Sequence, residues 1–295
     1  MPGTAELRSL RRRIRTVENT QKITSAMELI AASRIARARQ AVEQARPYAE
    51  GITQVIRDLA TVADLGDHPL LRRRDTVETV GVIVITSDRG LAGAYNSNVL
   101  RRAERLMGAL RSEGRQVALY QVGRKGESYF RYRDESFADS WFGITDKPSY
   151  DDAFAVGERV MADYREESID EVHMVYTDFR SSLTQVPTAV RLLPIEPGNI
   201  TGGGQAYPPQ FMFEPTPDEI LERLLPRYIE HRVYAALLEA AVSEHASRQR
   251  AMKAASDNAE EIVEDMTREA NRARQAAITT EINEIVGGAE ALAEG

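Results

Sequence analysis

Apolar residues in the N-terminal part of the chain recur at spacings of three and four, the period of one helix face. The pattern predicts a helix from about residue 4 to 63, since no glycine falls between Gly3 and Gly51. Pro47 should bend or restart it. The predicted heptad seam consists of Leu7, Leu10, Ile14, Val17, Gln21, Thr24, Glu28, Ala31, Ile35, Ala38, Val42 and Ala45, with Ile23, Met27 and Ile30 forming a second apolar edge.

The middle of the chain, about residues 76–213, alternates between strand and helix patterns. The β-branched run at 80–85 is typical of a strand buried on both faces. Further strands are predicted at 116–122, 171–177 and 186–193, and helices at 95–111 and 150–166. This alternation predicts an α/β domain with a small, mostly parallel sheet. The Gly- and Pro-rich stretch 198–217 is predicted to be a loop, with one extended piece at 207–213.

The C-terminal segment, about residues 218–293, is helical again, and the long helix either starts or kinks at Pro226. Roughly 65 helical residues would span on the order of 100 Å, so this helix should leave its own domain. Its seam includes Ile229, Val233, Leu237, Ala241, Ala255, Ala259, Ile262, Met266, Ala270, Ala273 and Ala277, then shifts phase to Ile278, Ile282, Ile285, Ala289 and Leu292.

The two end segments cannot bury these seams alone, and both flank one compact domain. We therefore expect an antiparallel coiled coil of residues 1–63 and 216–295 around an α/β domain of residues 76–213. A basic N-terminal helix facing an acidic C-terminal one supports this pairing. The N-terminal helix is shorter and should end beside about residues 265–275, so the last apolar turns need a partner from outside the chain.

Composition excludes several classes of protein. A net charge of −7 argues against a uniformly basic nucleic-acid binder. The absence of cysteine excludes disulfides, zinc–thiolate sites and thiol nucleophiles, and the four histidines have no ligand spacing, so no metal is expected. No apolar run reaches the ~20 residues that cross a bilayer. We therefore expect a chain without direct membrane insertion, in a cytoplasmic compartment.

Candidate chemistry is sparse. The turn 87–93 follows a strand and precedes a helix, where phosphate is often bound, but it matches neither GxxxxGK[ST] nor GxGxxG. We interpret it as a tight turn that exposes Asp88 and Arg89 to a partner, and 123–126 as another turn. The acid pairs Glu260/Glu264 and Glu261/Asp265 are interpreted as a solvated helix face. No catalytic residue and no cofactor are predicted.

Three stretches carry a family resemblance. They are IRTVENTQKITSAMELIAAS at 14–33, SDRGLAG at 87–93, and the pair AMKAASDNA at 251–259 with NRARQAAITTEINEIVGGA at 271–289. In this order they resemble gamma subunits of F-type ATP synthases, with Ala92 where many members have cysteine. The resemblance implies a non-catalytic rotor shaft whose coiled coil lies inside an alpha3-beta3 hexamer. It places the α/β domain against the epsilon subunit and the c-ring, at the cytoplasmic face of the bacterial cell membrane.

The resemblance also implies contact residues by position. Contacts with the beta subunit are expected at Lys22, Met27, Asp88, Arg89, Ala92, Arg248, Gln275 and Thr279. An apolar bearing at the C-terminal tip would comprise Ile282, Ile285, Val286 and Leu292. A foot that faces epsilon and the c-ring would include Tyr207, Phe211 and Phe213. In the family, proton flow turns the c-ring and gamma together, and gamma's asymmetry drives the beta subunits through different conformations.

The residues alone leave two other functions open. One is a nucleotide-binding α/β enzyme with helical arms, which nucleotide binding to the isolated chain would favour. The other is a coiled-coil scaffold that binds nucleic acid or membrane, which a salt-sensitive DNA complex would favour. Co-purification with six larger nucleotide-binding subunits would favour the rotor shaft.

Overall fold

A computed structural model describes residues 2–59, 68–195 and 214–293. In chain order, the elements are α1 (Pro2–Leu59), β1 (Thr79–Ile85), α2 (Tyr95–Ser112), β2 (Gln116–Val122), α3 (Arg124–Arg131), β3 (Phe137–Trp141), α4 (Tyr150–Arg165), β4 (Glu171–Phe179), β5 (Gln185–Leu193) and α5 (Pro217–Ala293).

Both end helices continue through their prolines. Pro47 lies inside α1 and Pro226 inside α5, so neither restarts its helix. Instead α5 begins at Pro217, which suits a first helical position because its missing N–H would be unpaired there anyway. Asp218 and Glu219 follow in the first turn, where negative charge complements the helix dipole. Among the described helices, none has a stretch both long and apolar enough to span a bilayer.

The sheet has five strands in the order β3-β2-β1-β4-β5. Strand β1 pairs in parallel with β2 and β4, and β3 pairs in parallel with β2. Only the edge strand β5 runs antiparallel to its neighbour, β4. The prediction of an α/β domain with a mostly parallel sheet is confirmed.

Central strand β1 sends alternate side chains into two separate cores. Val80, Val82 and Val84 pack with α2 and α3 side chains such as Val99 and Phe130. Ile83 and Ile85 pack on the opposite face in a larger cluster with residues from α1, α4 and α5. All of these β1 side chains are buried, as the continuous β-branched run predicts.

Residues 32–248 form one compact unit, in which α1 and α5 run antiparallel. Ile35 clusters with Val242 and Ala246, whereas ten residues further along α1 the carbonyl of Ala45 accepts a hydrogen bond from His231 Nε2 at 3.1 Å. Since numbers rise along α1 as they fall along α5, the predicted antiparallel arrangement is confirmed.

Residues 1–31 and 249–295 form a second compact unit. Among the side chains described in this unit, the buried ones are Leu10, Thr24 and Ala31 on α1, and Met252, Ala259 and Ala270 on α5. Most of these are small, as the predicted seam implies. Ile262 was also expected in the seam, but 43% of it is exposed. The boundaries between the two compact units fall in the middle of α1 and of α5. The predicted domain boundaries at residues 63, 76, 213 and 216 stay predictions.

Two elements were missed by the sequence patterns. The predicted turn at 123–126 is wrong: Gly123 alone makes the turn, with φ of 93°, and helix α3 begins at Arg124. Strand β3 was also missed because it is a five-residue edge strand whose side chains are half-buried or exposed. The extended piece predicted at 207–213 lies outside the described residues.

Gly123→Ala should destabilise the chain strongly. A Cβ there would lie 2.4 Å from the Thr86 carbonyl oxygen, in a backbone conformation that costs an L-residue about 1–2 kcal/mol on its own. We expect a loss of at least about 2 kcal/mol in unfolding free energy by urea denaturation. Gly108→Ala in α2 is the matched control, because a Cβ there meets nothing within 4 Å, and it should gain about 0.5–1 kcal/mol. Equal effects of the two substitutions would contradict this account.

Candidate partner-contact surface

The turn at 87–93 is closed by its own hydrogen bonds. Asn96 Oδ1 accepts the backbone N–H of Ser87 at 2.9 Å, and the Ser87 hydroxyl donates to the Arg89 carbonyl at 2.6 Å. Gly93 has a φ of 54° and leads into α2. Strand β1 and helix α2 therefore fix both ends of the turn.

Asp88 is bonded within the chain. Its carboxylate accepts the backbone N–H of Arg124 at 3.2 Å, the backbone N–H of Thr145 at 3.1 Å and the Thr145 hydroxyl at 2.9 Å. The residue is half-buried, so the expectation that its side chain is free and exposed is wrong. Donors that a phosphate would use at this strand end already face a carboxylate of the chain.

Arg89 and Leu91 are the side chains that project from this turn. Arg89 is exposed, and 62% of Leu91 is exposed. Ala92 is 2% exposed, so its side chain does not project from the turn, and its contact with the beta subunit stays a prediction. Its small side chain packs inward because the turn folds back into α2. Sequence reasoning missed Leu91, although an apolar residue in a polar turn was a signal that could have revealed it.

Arg248 lies inside the compact unit, with 7% exposure. Its Nη2 donates to Glu244 Oε1 at 2.6 Å and to the Gly90 carbonyl at 3.1 Å. The prediction that Arg248 reaches a partner subunit directly is therefore not supported by its position. Glu244 was missed, although its i,i+4 spacing to Arg248 was readable from the sequence.

Titratable groups gather beneath the same turn. Ligand atoms of Asp146, Glu244 and His245 lie within 4.8 Å of one another. Arg248 pairs with Glu244, and Arg34 pairs with Asp146, so two guanidinium groups already supply positive charge there. This geometry gives no reason to add a metal ion, and the prediction of no metal stays a prediction.

Burial sets the protonation behaviour of this cluster. Burial raises the pKa of the Glu244 carboxyl to about 7, against the opposing effect of Arg248. The nearby carboxylates of Asp146 and Asp88 raise the same pKa further. Burial also lowers the pKa of His245, which favours the neutral ring. Since His245 Nε2 donates to the Asp146 carbonyl at 3.2 Å, its Nδ1 carries the lone pair.

The predicted beta-contact positions on the two long helices have different exposures. Lys22 is exposed on α1 and Met27 is half-buried there. On α5, Gln275 and Thr279 are both exposed, and the Thr279 hydroxyl donates to the Gln275 carbonyl at 3.0 Å. These four positions remain compatible with contact to another chain, and their contacts stay predictions.

The C-terminal tip of α5 exposes apolar side chains. Ala270 is the last buried residue of the described part of α5. Beyond it, Ile282, Ile285 and Val286 are 54%, 67% and 51% exposed. The side chain of Leu292 lies outside the described residues, as do the predicted foot residues Tyr207, Phe211 and Phe213.

Sequence comparisons find relatives of this chain over nearly its whole length. A family profile described as ATP synthase matches residues 6–292. The ATP synthase gamma chain of Frankia casuarinae is 52% identical over 297 residues, covering 98% of this chain and 99% of that one. The chain belongs to the ATP synthase gamma-chain family. A second relative, the gamma chain of Mycolicibacterium smegmatis, is 49% identical and covers 98% of both chains.

Structural comparisons place the family in the central stalk. A chain from the Tetrahymena thermophila mitochondrial ATP synthase central stalk and c-ring is 28% identical, with a TM-score of 0.59 over 79% of this chain and 99% of that one. A chain of the Euglena gracilis enzyme, in its OSCP/F1/c-ring structure, is 16% identical with a TM-score of 0.66 and shares the fold over 98% and 95% of the two chains. A gamma chain is a non-catalytic, central-stalk subunit.

The chain's stability should depend on pH through Glu244. A carboxyl whose folded pKa is raised contributes stability that is fully present below its unfolded value near 4.5 and is lost as pH rises through about 7. Glu244→Gln should remove this loss, on the order of 1–3 kcal/mol between pH 5 and 8, in urea titrations at each pH. Exposed Glu260→Gln is the control and should keep the wild-type slope. An unchanged slope in Glu244→Gln would show that Glu244 does not titrate this way.

Proposed function

We propose that the chain is the rotating shaft that carries c-ring rotation to the catalytic beta subunits of an alpha3-beta3 hexamer. The observation that carries this proposal is the apolar end of α5, where none of the described side chains beyond Ala270 is buried and Ile278, Ile282 and Ile285 are exposed. An exposed apolar helix end is a feature that another chain normally covers. A sleeve formed by the ring of large subunits provides that cover.

The tip is better suited to act as a bearing, which holds the shaft in place, than as a lever, which transmits torque. Burial of Ile282, Ile285 and Val286 in a sleeve would contribute about 1.5–3 kcal/mol each at most. Gly287 and Gly288 follow them and offer no side chains that could grip a partner. Contacts of this kind change little with rotation angle, so they hold the shaft in place while allowing it to turn.

Torque requires surfaces whose fit to a partner changes with angle. We assign this role to charged and projecting groups: Lys22 on α1, Arg89 and Leu91 in the turn after β1, and Gln275 on α5, all of which are exposed. Each would favour one beta conformation in one angular position and another in the next. Met27 and Thr279 lie at neighbouring positions on the same helices and complete the proposed contact set.

We also propose which subunits the foot of the shaft faces. The Tetrahymena relative is part of a central stalk with a c-ring, and we extend that arrangement to this chain. Tyr207, Phe211 and Phe213 are proposed to face the epsilon subunit and the c-ring. In a bacterial cell, this assembly would hold the chain peripherally at the cytoplasmic face of the membrane.

The nucleotide-enzyme alternative is disfavoured at its best candidate site. At the carboxyl end of β1, the Asp88 carboxylate takes the donors of Arg124 and Thr145. A phosphate brought there would meet a negative charge and few available N–H groups. We therefore propose no nucleotide site in this turn.

The direct test of the proposal is co-purification from the native host. An affinity tag on the chain should recover six larger nucleotide-binding subunits in equal numbers of two kinds, together with an epsilon-type subunit and the c-ring. The matched control carries the same tag on a chain shortened before Gln249, which lacks the C-terminal part of α5. Recovery of the tagged full chain without large subunits would contradict the proposal.

Removal of residues 285–295 should weaken the assembly more than it weakens torque. The deletion takes away the exposed apolar tip but leaves Lys22, Arg89 and Gln275 in place. We expect a lower melting temperature of the assembled complex with most of the torque per step retained in single-molecule rotation. A fully assembled truncated complex that produced no torque would contradict this division between bearing and lever.

A further inference from the structure

Leu91 occupies a backbone conformation that leucine rarely adopts. Its φ is 61°, in the left-handed region that favours glycine, and 62% of the residue is exposed. An exposed leucine gains little from burial that would offset the steric cost of this conformation. Other contacts must therefore hold the turn in the form that makes Leu91 project.

The side chain of Arg248 supplies those contacts from the adjacent helix. Its Nε donates to the Gly90 carbonyl at 3.3 Å, and its Nη2 donates to the carbonyls of Gly90 at 3.1 Å and Arg89 at 3.3 Å. One planar guanidinium thus holds the two carbonyls that directly precede Leu91. A lysine ammonium at the same position could not match this fork geometry.

Arg248 is itself held in place by two neighbours on α5. Glu244, one turn earlier, accepts from Nη2 at 2.6 Å, and His245 Nδ1 faces Nη1 at 3.4 Å. The side chains of Arg248 and Glu244 are only 8% and 2% exposed. Burial makes such a pair a poor source of stability, because the desolvation of both charges offsets their attraction. The pair is better explained by the geometry that it imposes.

We propose that Arg248, aligned by Glu244, is a positioning residue that fixes the turn so that Arg89 and Leu91 form a rigid projection. The proposal concerns this turn only and does not require Arg248 to touch another subunit. Its consequence for torque rests on the proposed function, in which the projection pushes against a subunit of the surrounding ring. Arg248 would then act on the partner through the backbone of residues 89–91.

The first experiment measures hydrogen exchange of the full chain in peptides that cover residues 86–93, where the amides of Ser87 and Asp88 donate to Asn96 and Thr145. Arg248→Lys should lower the protection of these amides by about tenfold, the effect of losing one hydrogen bond, with a smaller loss in Glu244→Gln. Lys253→Gln is the matched control, because Lys253 pairs with Asp257 at the same i,i+4 spacing on α5 but at the surface. It should leave the turn's protection unchanged.

Two exchange results would overturn the positioning role. One is wild-type protection of the turn in Arg248→Lys. The other is an equal loss of protection throughout residues 32–248, which would mark Arg248 as a general stabilising residue. If Arg248→Lys does not fold, Glu244→Gln alone decides the matter, since it keeps the size of the side chain but removes the negative charge that aligns Arg248. Unchanged exchange of the turn in that variant would then contradict the proposal.

The second experiment uses the assembled complex and asks whether Arg248 and Leu91 act together. Leu91→Gly removes the projecting side chain, and both Leu91→Gly and Arg248→Lys should lower the protons pumped per ATP hydrolysed. The double variant should be no worse than the more impaired single variant. Additive losses would contradict a shared route through Leu91. Altered exchange with unchanged pumping would uphold positioning and count against the turn's proposed role in torque.

Discussion

The whole structure depends on the burial of apolar seams along two helices that cannot stand alone. In residues 32–248, seam side chains of α5 such as Val233 and Leu237 join the large core on the sheet, and Ile35 of α1 forms a separate small cluster with Val242 and Ala246. In residues 1–31 and 249–295, the buried side chains that the structure describes are mostly those of alanine, threonine and methionine. Small seam residues allow close packing of two helices but supply little apolar area. This arrangement explains why apolar side chains remain exposed where the N-terminal helix is no longer available.

Exposed apolar side chains mark where the chain depends on other chains. Ile23 and Leu29 on α1 are 61% and 70% exposed, and the tip of α5 continues this pattern. Single exposed apolar residues are ordinary on a protein surface, but a series of them along helices is not. The shaft that we propose accounts for them, because a surrounding ring would cover this surface in the assembly.

The carboxyl end of β1 shows how charge is used inside the chain. Asp88, Glu244 and Arg248 all form their hydrogen bonds within the compact unit. Asp88 ties the turn to Thr145, and Arg248, paired with Glu244, donates to the backbone of the turn. What reaches the surface is the pair Arg89 and Leu91. In the role that we propose, this network fixes the shape of an exposed projection that pushes against a subunit of the surrounding ring.

Periodicity made most of the fold predictable. A helical repeat with no proline after Pro226 and no glycine before Gly287 specifies most of α5, and a β-branched run specifies β1, because both patterns record burial directly. Helix α3 and strand β3 were missed because one is short and the other is a half-buried edge strand.

The site was less predictable, since exposure of a turn residue depends on distant partners. Hydrogen bonds from Thr145 and Arg124 hold the Asp88 side chain against the chain, and no local pattern around Asp88 reveals these two partners.

If this chain turns within a ring of larger subunits, as we propose, a bead attached to it will rotate when the complex hydrolyses ATP. The absence of cysteine allows a single reporter site, and Tyr132→Cys provides one because Tyr132 is 87% exposed in the turn after α3. With the large subunits fixed to a surface and a bead attached at this cysteine, addition of ATP should produce continuous rotation in one direction. A bead that stays still while the same complexes hydrolyse ATP would contradict the account.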